Sequence, residues 1–489
     1  MHNSFILFCA LNAVKGMVIK MNRYKKLGKN MALMVIGNFS SKVLSFLFLP
    51  LYTAILSTEE YGISELITTT VNLILPFCTL LMTEAVLRFT LDKEYDKKQV
   101  FSISLYVCAL GILLVSIASP FFLTGVLKDY CLFFVLFYST TVLHTLVAHF
   151  VKGIEEITVY TLGGVVGTIT VIAFNILFLV TFRMGIVGYL LAHIVSSVAS
   201  TVFLCVPVKI WKYTETLKNV DTALLKEMLR YSVPLIPNSM SWWISNSSGK
   251  YIVTAFCGVA MNGIYSVAYR IPSIFSIISN IFMSAWQISA VEDFGSEQTT
   301  SFYSKIYNIY NVGNMIIVSA LICGTKILAG FLFSNDFFQA LVFVPVLLVA
   351  YLFNTMASFL GTIYTSAKKT KMIFLTTFIG ATANIIFNFL LVKIMGAMGA
   401  AVSALISYLL IWLVRFIDSR RIIKLDINFG RNIISYLILG TQCVVMALNS
   451  RYSFAISLSL FGLLVGYNYK HINGILCMLS SKIKARKAG

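Results

Sequence analysis

From residue 31 to residue 469 the chain is a succession of apolar runs parted by short polar segments. Most runs approach the roughly 20 residues that cross a hydrocarbon core as helix. A backbone in lipid must satisfy its own N–H and C=O groups, so each run is expected to be helical. The runs are continuous rather than alternating, which argues against a transmembrane barrel. Of the 489 residues 12% are charged and 58% hydrophobic, whereas a soluble globular chain carries about 25% charge. The expected fold is therefore an all-α polytopic membrane protein. We read about fourteen spans by length, at 31–55, 66–89, 100–122, 131–151, 160–182, 185–208, 232–256, 263–287, 306–331, 340–364, 372–392, 396–416, 432–448 and 452–469. The last two are short, so about twelve spans and a hairpin is the alternative count.

The net charge of +19 has its cause in the loops. Lys15, Lys20, Arg23, Lys25, Lys26 and Lys29 precede the first span, and Lys93, Lys97 and Lys98 follow the second. Lys209, Lys212, Lys218, Lys226 and Arg230 follow the sixth, Lys368, Lys369 and Lys371 the tenth, and Arg415, Arg420, Arg421, Lys424 and Arg431 the twelfth. The intervening loops hold single cations such as Lys128, Arg183, Lys393 and Arg451. This bias predicts a multi-pass protein of the cytoplasmic (inner) membrane with both termini cytoplasmic, and it accounts for the basicity without nucleic acid. The nine cysteines form no CxxC pair, so neither disulfides, a metal site nor a cofactor is expected. The opening MHNSFILFCALNAVKG resembles a signal peptide without a basic n-region. Of the candidate starts Met1, Met17 and Met21, the latter two are preferred.

Two internal echoes organise the chain. LYTAILSTEEYGIS (51–64) matches IVTAFCGVAMNGIY (252–265), and MGIVGYLLAHIVS (184–196) matches MGAMGAAVSALIS (395–407). Each pair is separated by six spans. An even number keeps both copies in one orientation, as in the parallel repeats of secondary transporters whose substrate site lies between the halves. The expected organisation is a basic cytoplasmic N-terminal segment (1–30), an N-lobe of six spans (31–210), a cytoplasmic amphipathic linker (211–231), a C-lobe of six spans (232–416), and a C-terminal hairpin with a basic tail (417–489), the two lobes flanking a central cavity.

Charges within the spans are the candidate site. Lys42 lies in NFSSKVLSFLFLPLYTAIL, where a cation near mid-depth costs about 2.5–3.5 kcal/mol and is functional by default. Lys250 and Arg270 fall in spans 7 and 8, Arg88 and Lys152 near the ends of spans 2 and 4. Together they would form a ladder of cations for an anionic substrate. Snorkelling accounts equally for Arg88 and Lys152, and Lys250 and Arg270 can instead pair with Glu59, Glu60 or Glu65. Glu84, four residues before Arg88, is either an ion-pair partner for it or an ion- or proton-coupling residue. Pro50, Pro234, Pro237 and Pro272 are candidate hinges. Trp242, Trp243, Tyr265 and Tyr269 are candidates for stacking on sugars or for interfacial anchoring.

The N-x-x-S-K of Asn38–Lys42, LYTAILSTEEYG, the Arg88-Phe89 pair, GIYSVAYRI at 263–271, Ala285-Trp286, and Asn384 and Asn388 followed by MGAMGAAVSALISY resemble, in that order, the Wzx-type polysaccharide flippases of the MATE-like multidrug/oligosaccharidyl-lipid/polysaccharide exporter superfamily. The resemblance covers nearly the whole chain from about Met21. It implies two six-helix lobes with two further helices, and a flippase that passes undecaprenyl-pyrophosphate-linked oligosaccharide to the outer leaflet by alternating access. It further implies partners in the polysaccharide polymerase and chain-length machinery, besides the lipid-linked substrate and the bilayer. The cations above would then hold the pyrophosphate. A lipid II flippase or a multidrug/cation antiporter of the same fold is the alternative, although the deep charges are mostly basic. A membrane-embedded glycan polymerase or ligase is disfavoured: no HExxH, nucleophile elbow or phosphate-cradling loop occurs. The histidines His2, His144, His149, His193 and His471 suggest no catalytic set, since His144 and His149, five residues apart, do not share a helical face. We expect no enzyme.

Overall fold

The computed structural model describes residues 46–295, 298–448 and 450–469. Its α-helices in chain order are α1 (Leu49–Ile55), α2 (Thr58–Cys78), α3 (Met82–Leu91), α4 (Lys97–Phe122), α5 (Val126–Asp129), α6 (Cys131–Gly153), α7 (Ile157–Asn175), α8 (Gly185–Val208), α9 (Thr222–Ser232) and α10 (Ile236–Cys257). They continue as α11 (Val259–Ala268), α12 (Arg270–Asp293), α13 (Thr299–Cys323), α14 (Thr325–Leu332), α15 (Val344–Ser366), α16 (Thr370–Met395), α17 (Ala397–Ser419), α18 (Phe429–Ala447) and α19 (Ser453–Tyr467). No strand occurs among the described residues.

Ten helices are long and apolar enough to cross a membrane, or eleven if the broken pair α2–α3 is one crossing. The expected fourteen is not reached among the described residues, for three local reasons. Most of span 31–55 lies outside them. The 22 residues of α10 are long enough but carry a polar stripe of serines and asparagines. With 15 residues, α19 is short. The membrane reading is written on the surface too: Leu110, Leu113, Leu114 and Ile117 of α4 are all more than half exposed, an apolar face too extended for water.

The break between α2 and α3 has local causes. Pro76 removes a backbone donor inside α2, and Leu80 and Leu81 both adopt left-handed φ, 50° and 51°. Gly111 of α4 lies against this turn, where a Cβ would sit 2.2 Å from the Cys78 carbonyl oxygen.

Packing divides the chain into two compact units, the first built from Phe77–Leu123 and Cys131–Val233, the second from Phe48–Pro76, Thr124–Tyr130 and the chain from Pro234 onward. This differs from the boundary expected at 31–210: α1 and most of α2 pack with the second half of the sequence, while the linker belongs to the first unit.

In the first unit α6 turns Phe134, Tyr138, Val142, Leu146 and Phe150, one residue in four, into a stripe with no exposure at all, packed against α8, α3 and α4. The pair α7–α8 is closed by hydroxyls: Ser196 donates to the Gly167 carbonyl at 2.6 Å and Ser200 to that of Gly163 at 2.8 Å. The linker is fastened to the start of α4. Ser102 accepts the Glu215 N–H at 2.7 Å, Tyr106 donates to the Glu215 carbonyl, and Lys98 pairs with the Glu215 carboxylate. Asp221 caps α9, whose Leu224, Met228 and Ser232 point inward, as an amphipathic helix requires.

In the second unit α15 is enclosed on nearly every side by α17, α12, α13 and α18. The sequence echoes become geometry here. Ser407 donates to the Gly380 carbonyl at 2.7 Å, the counterpart of Ser196 and Gly167. Asn388 donates to the Asn384 carbonyl at 2.8 Å, as Asn175 does to Val171 at 2.7 Å. The glycines of the first echo meet each other: a Cβ on Gly62 would lie 2.2 Å from the Val259 carbonyl oxygen, and one on Gly263 1.9 Å from that of Thr58. Two helices cross there at backbone contact, which only glycine permits.

Candidate functional site: a charge cluster in the second unit

The Gly62–Gly263 crossing sets the distance between the residues that follow it. Glu65 comes one turn after Gly62 on α2, and Arg270 two turns after Gly263 at the start of α12. The Asn262 amide donates to the Gly62 carbonyl at 3.2 Å and adds to the lock. Beyond it Glu65 accepts from Arg270 Nη2 on one oxygen at 2.5 Å and from Lys250 Nζ on the other at 2.6 Å. Tyr61 accepts both Nε and Nη2 of Arg270, at 3.0 and 2.7 Å.

Two cations thus share one carboxylate. The side chain of Glu65 is 10% exposed, that of Lys250 16% and that of Arg270 39%. The carboxylate is enclosed while the guanidinium is partly exposed. Removing one partner from such a buried pair costs about 3–5 kcal/mol, because the other charge stays desolvated.

Around the cluster the second unit places hydroxyls and rings. Thr70 and Tyr251 hydrogen-bond through their hydroxyls at 2.5 Å. The Trp243 indole N–H donates to the Thr69 carbonyl at 3.0 Å, and its ring lies 5.7 Å from that of Tyr251. Tyr265 and Tyr269 share a hydrogen bond at 2.8 Å. On the other stripe of α10, Ser248 donates to Asn384 Oδ1 at 3.0 Å, and Tyr408 donates to Asn246 Oδ1 at 2.7 Å.

The other predicted residues have separate surroundings. Lys42 lies outside the described residues. Arg88 is exposed and pairs with Asp92 at 3.2 Å rather than with Glu84, which is itself exposed. Lys152, at the end of α6, sits 6.0 Å from the centre of the Tyr160 ring. Glu84, Arg88 and Lys152 belong to the first unit, and among the described residues no ion pair joins them. Tyr265 is 1% exposed and so offers no ring face to a sugar here, while Trp242, Trp243 and Tyr269 are half-buried. Pro50 and Pro237 stand in the first turns of α1 and α10, where the missing N–H would be unpaired anyway. Pro234 lies in the turn before α10, and Pro272 in the first turn of α12.

Sequence reasoning missed Tyr61 and Arg415. Arg415, read as an inner-loop cation, is 2% exposed. Its guanidinium donates to the hydroxyls of Thr376 and Thr377, both at 2.9 Å, and to the Ala357 carbonyl at 2.8 Å. No carboxylate pairs with it among the described residues. Its position inside the apolar run LLIWLVRF was the available signal.

The fold has known relatives. The lipid II flippase MurJ in an inward closed conformation superposes with a TM-score of 0.67 at 14% identity, covering 89% of this chain and 98% of that one. An inward-facing multidrug resistance MATE family transporter of the MOP superfamily gives 0.65 at 14% identity, over 79% and 97%. A MOP superfamily transporter from Pyrococcus furiosus gives 0.55 at 15% identity, over 80% and 94%. At these identities the likeness is one of fold. Among curated proteins there is no match. Residues 27–287, more than half of the chain, match the family described as polysaccharide biosynthesis protein, and the chain belongs to that family.

Proposed function

We propose that this protein is a flippase that carries an undecaprenyl-pyrophosphate-linked oligosaccharide across the cytoplasmic membrane for cell-surface polysaccharide synthesis. The observation that carries this reading is the pair of cations, Lys250 and Arg270, held by the one carboxylate of Glu65. A diphosphate is the charged part of such a lipid that hydrocarbon refuses. Arg270 supplies a fork for it and Lys250 a compact point charge. Glu65 is then the counter-ion that keeps both cations tolerable until the anion arrives. Lys42 extends the cationic path on sequence grounds. An antiporter of cations would require the opposite balance of charge. The chemistry is translocation rather than bond-making, so the protein is not an enzyme, and the basic loops keep both termini cytoplasmic.

The test is deletion of this chain in its native host, followed by restoration with wild type, Arg270→Ala, Lys250→Ala and Arg270→Lys at matched membrane abundance. The expected result is loss of surface polysaccharide and accumulation of lipid-linked repeat units on deletion, no rescue by either alanine variant, and partial rescue by Arg270→Lys. Full rescue by Arg270→Ala would overturn the role of the cluster.

A further inference from the structure

We propose that His144 and His149 are the proton-binding residues of the first unit, and that the proton they take is the ion whose movement drives the translocation proposed above, on which this inference rests. The argument starts from hydrogen-bond roles. His149 Nδ1 lies 2.7 Å from the Thr83 carbonyl oxygen. A carbonyl only accepts, so Nδ1 carries the proton and Nε2 is the bare nitrogen of the neutral ring. His144 Nε2 lies 3.0 Å from Ser200 Oγ, and that hydroxyl already donates to the Gly163 carbonyl at 2.8 Å. Ser200 therefore accepts, Nε2 of His144 carries the proton, and Nδ1 is bare. Both tautomers are fixed by the fold, and each half-buried ring keeps one nitrogen that no described side chain occupies. An imidazole so fixed changes only its charge when it takes a proton on the bare nitrogen.

The surroundings supply no competing ion pair. On α3, which packs against α6, the ionisable groups are Glu84 and Arg88, and Arg88 is taken by Asp92. On α4 they are Lys97, Lys98, Tyr106 and Cys108, with Lys98 taken by Glu215. On α7 there is Tyr160, and on α8 Tyr189, His193 and Cys205. From the linker, Tyr213 meets Phe150. On α6 itself, Cys131, Tyr138 and Lys152 complete the set. Glu84 is thus the one carboxylate within these helices, and it directly follows the residue whose carbonyl holds His149. The two residues lie about 7.5 Å apart along the helix axis at 1.5 Å per residue, near enough for the charge on one imidazole to oppose protonation of the other. His149 donates to α3 and His144 to α8, and both bonds persist when the bare nitrogen takes a proton, so each contact then carries a positive charge.

Two readouts on the full-length protein test this. Exchange of the imidazole C2 hydrogen, followed by mass spectrometry across pH 5–8 in detergent, titrates each histidine separately without a ligand. The expected result is a sigmoidal profile for both, with the His144 midpoint moving upward in His149→Asn, whose amide nitrogen stands where Nδ1 donates to Thr83 but which carries no charge. The second readout is polysaccharide export in the native host with nigericin collapsing the pH gradient. Wild type should lose export, whereas His144→Gln and His149→Asn, matched for abundance and thermal midpoint, should show low export that no longer responds. A flat exchange profile for either ring, or a wild-type response in both variants, would overturn the proposal. Export that survives deletion of the chain would instead overturn the flippase reading, whereas the exchange profiles test the two histidines independently of it.

Discussion

The two units share a scaffold and differ in what they bury. In each, a serine hydroxyl closes a helix pair on a glycine carbonyl, Ser196 on Gly167 and Ser407 on Gly380, and a buried asparagine stands at matching places, Asn175 and Asn388. Yet among the described residues the first unit buries no charged side chain, while the second buries Glu65 and Arg415 and half-buries Lys250. The repeat is carried by small residues, because close helix approach tolerates no other kind. Among the described residues the fully buried charges sit on top of that scaffold in the second unit. What differs between the halves is therefore the better guide to function, and what they share is the guide to fold. The first unit's ion pairs, Arg88–Asp92 and Lys98–Glu215, are partly exposed, whereas the second unit encloses the carboxylate of Glu65 between two cations.

The largest expected effect breaks the ionic side of this contrast. Glu65→Ala leaves Lys250 and Arg270 without their counter-ion and should cost about 3–5 kcal/mol, read as a fall in the thermal midpoint of the detergent-solubilised protein; an unchanged midpoint would mean that the cluster is solvated. Gly62→Val and Gly263→Val come next. Each places a side chain where a carbonyl oxygen already sits, so at least the 1–3 kcal/mol typical of overpacking, at about that order, is expected, with loss of export although no charge has been touched. Arg415→Lys should cost about 1–3 kcal/mol, since buried acceptors lose their donors, and it should leave the export response to pH intact. A smaller effect sharpens the shared scaffold: Ser196→Ala and Ser407→Ala should each cost about 0.5–1.5 kcal/mol, in equal measure. A marked inequality would show that the two hydroxyls are not structural counterparts.

The smallest effect concerns the linker. The Lys98 ammonium, hydrogen-bonded to the Glu215 carboxylate, holds that carboxyl below its ordinary range. A depressed folded-state value means that the Lys98–Glu215 contribution to the attachment is present at neutral pH and is lost as pH falls through that value. Protease cleavage within 210–220 should therefore rise on acidification in wild type, and should already be raised at neutral pH in Lys98→Ala.

Much of the fold was legible because its rules are local. A run of apolar residues near the thickness of a bilayer has to become helix, since lipid offers no other partner to its backbone. The echoes were legible because crossing helices require glycine at fixed spacing, and Gly62 and Gly263 indeed meet. The site was legible only in part. Lys250 and Arg270 stood out as cations in apolar runs, and Glu65 was one of three acids open to them. What selected Glu65 was the backbone contact at the glycines, joining residues 185 and 205 positions apart. Arg88 stood out equally, and the chain gave it Asp92, four residues on.

The sequence by itself determined that this chain is helical, lies in a membrane, repeats, and is basic at its loops, all of which follow from composition read at the period of a helix. The tertiary structure decided which charges meet, which arginine is enclosed by hydroxyls and which stays open, where α2 is broken, and that α1 and most of α2 pack with the second half. A side chain's partner within a bundle depends on which helices touch and at what rotation, and that is fixed by packing over the whole unit rather than by any window of residues.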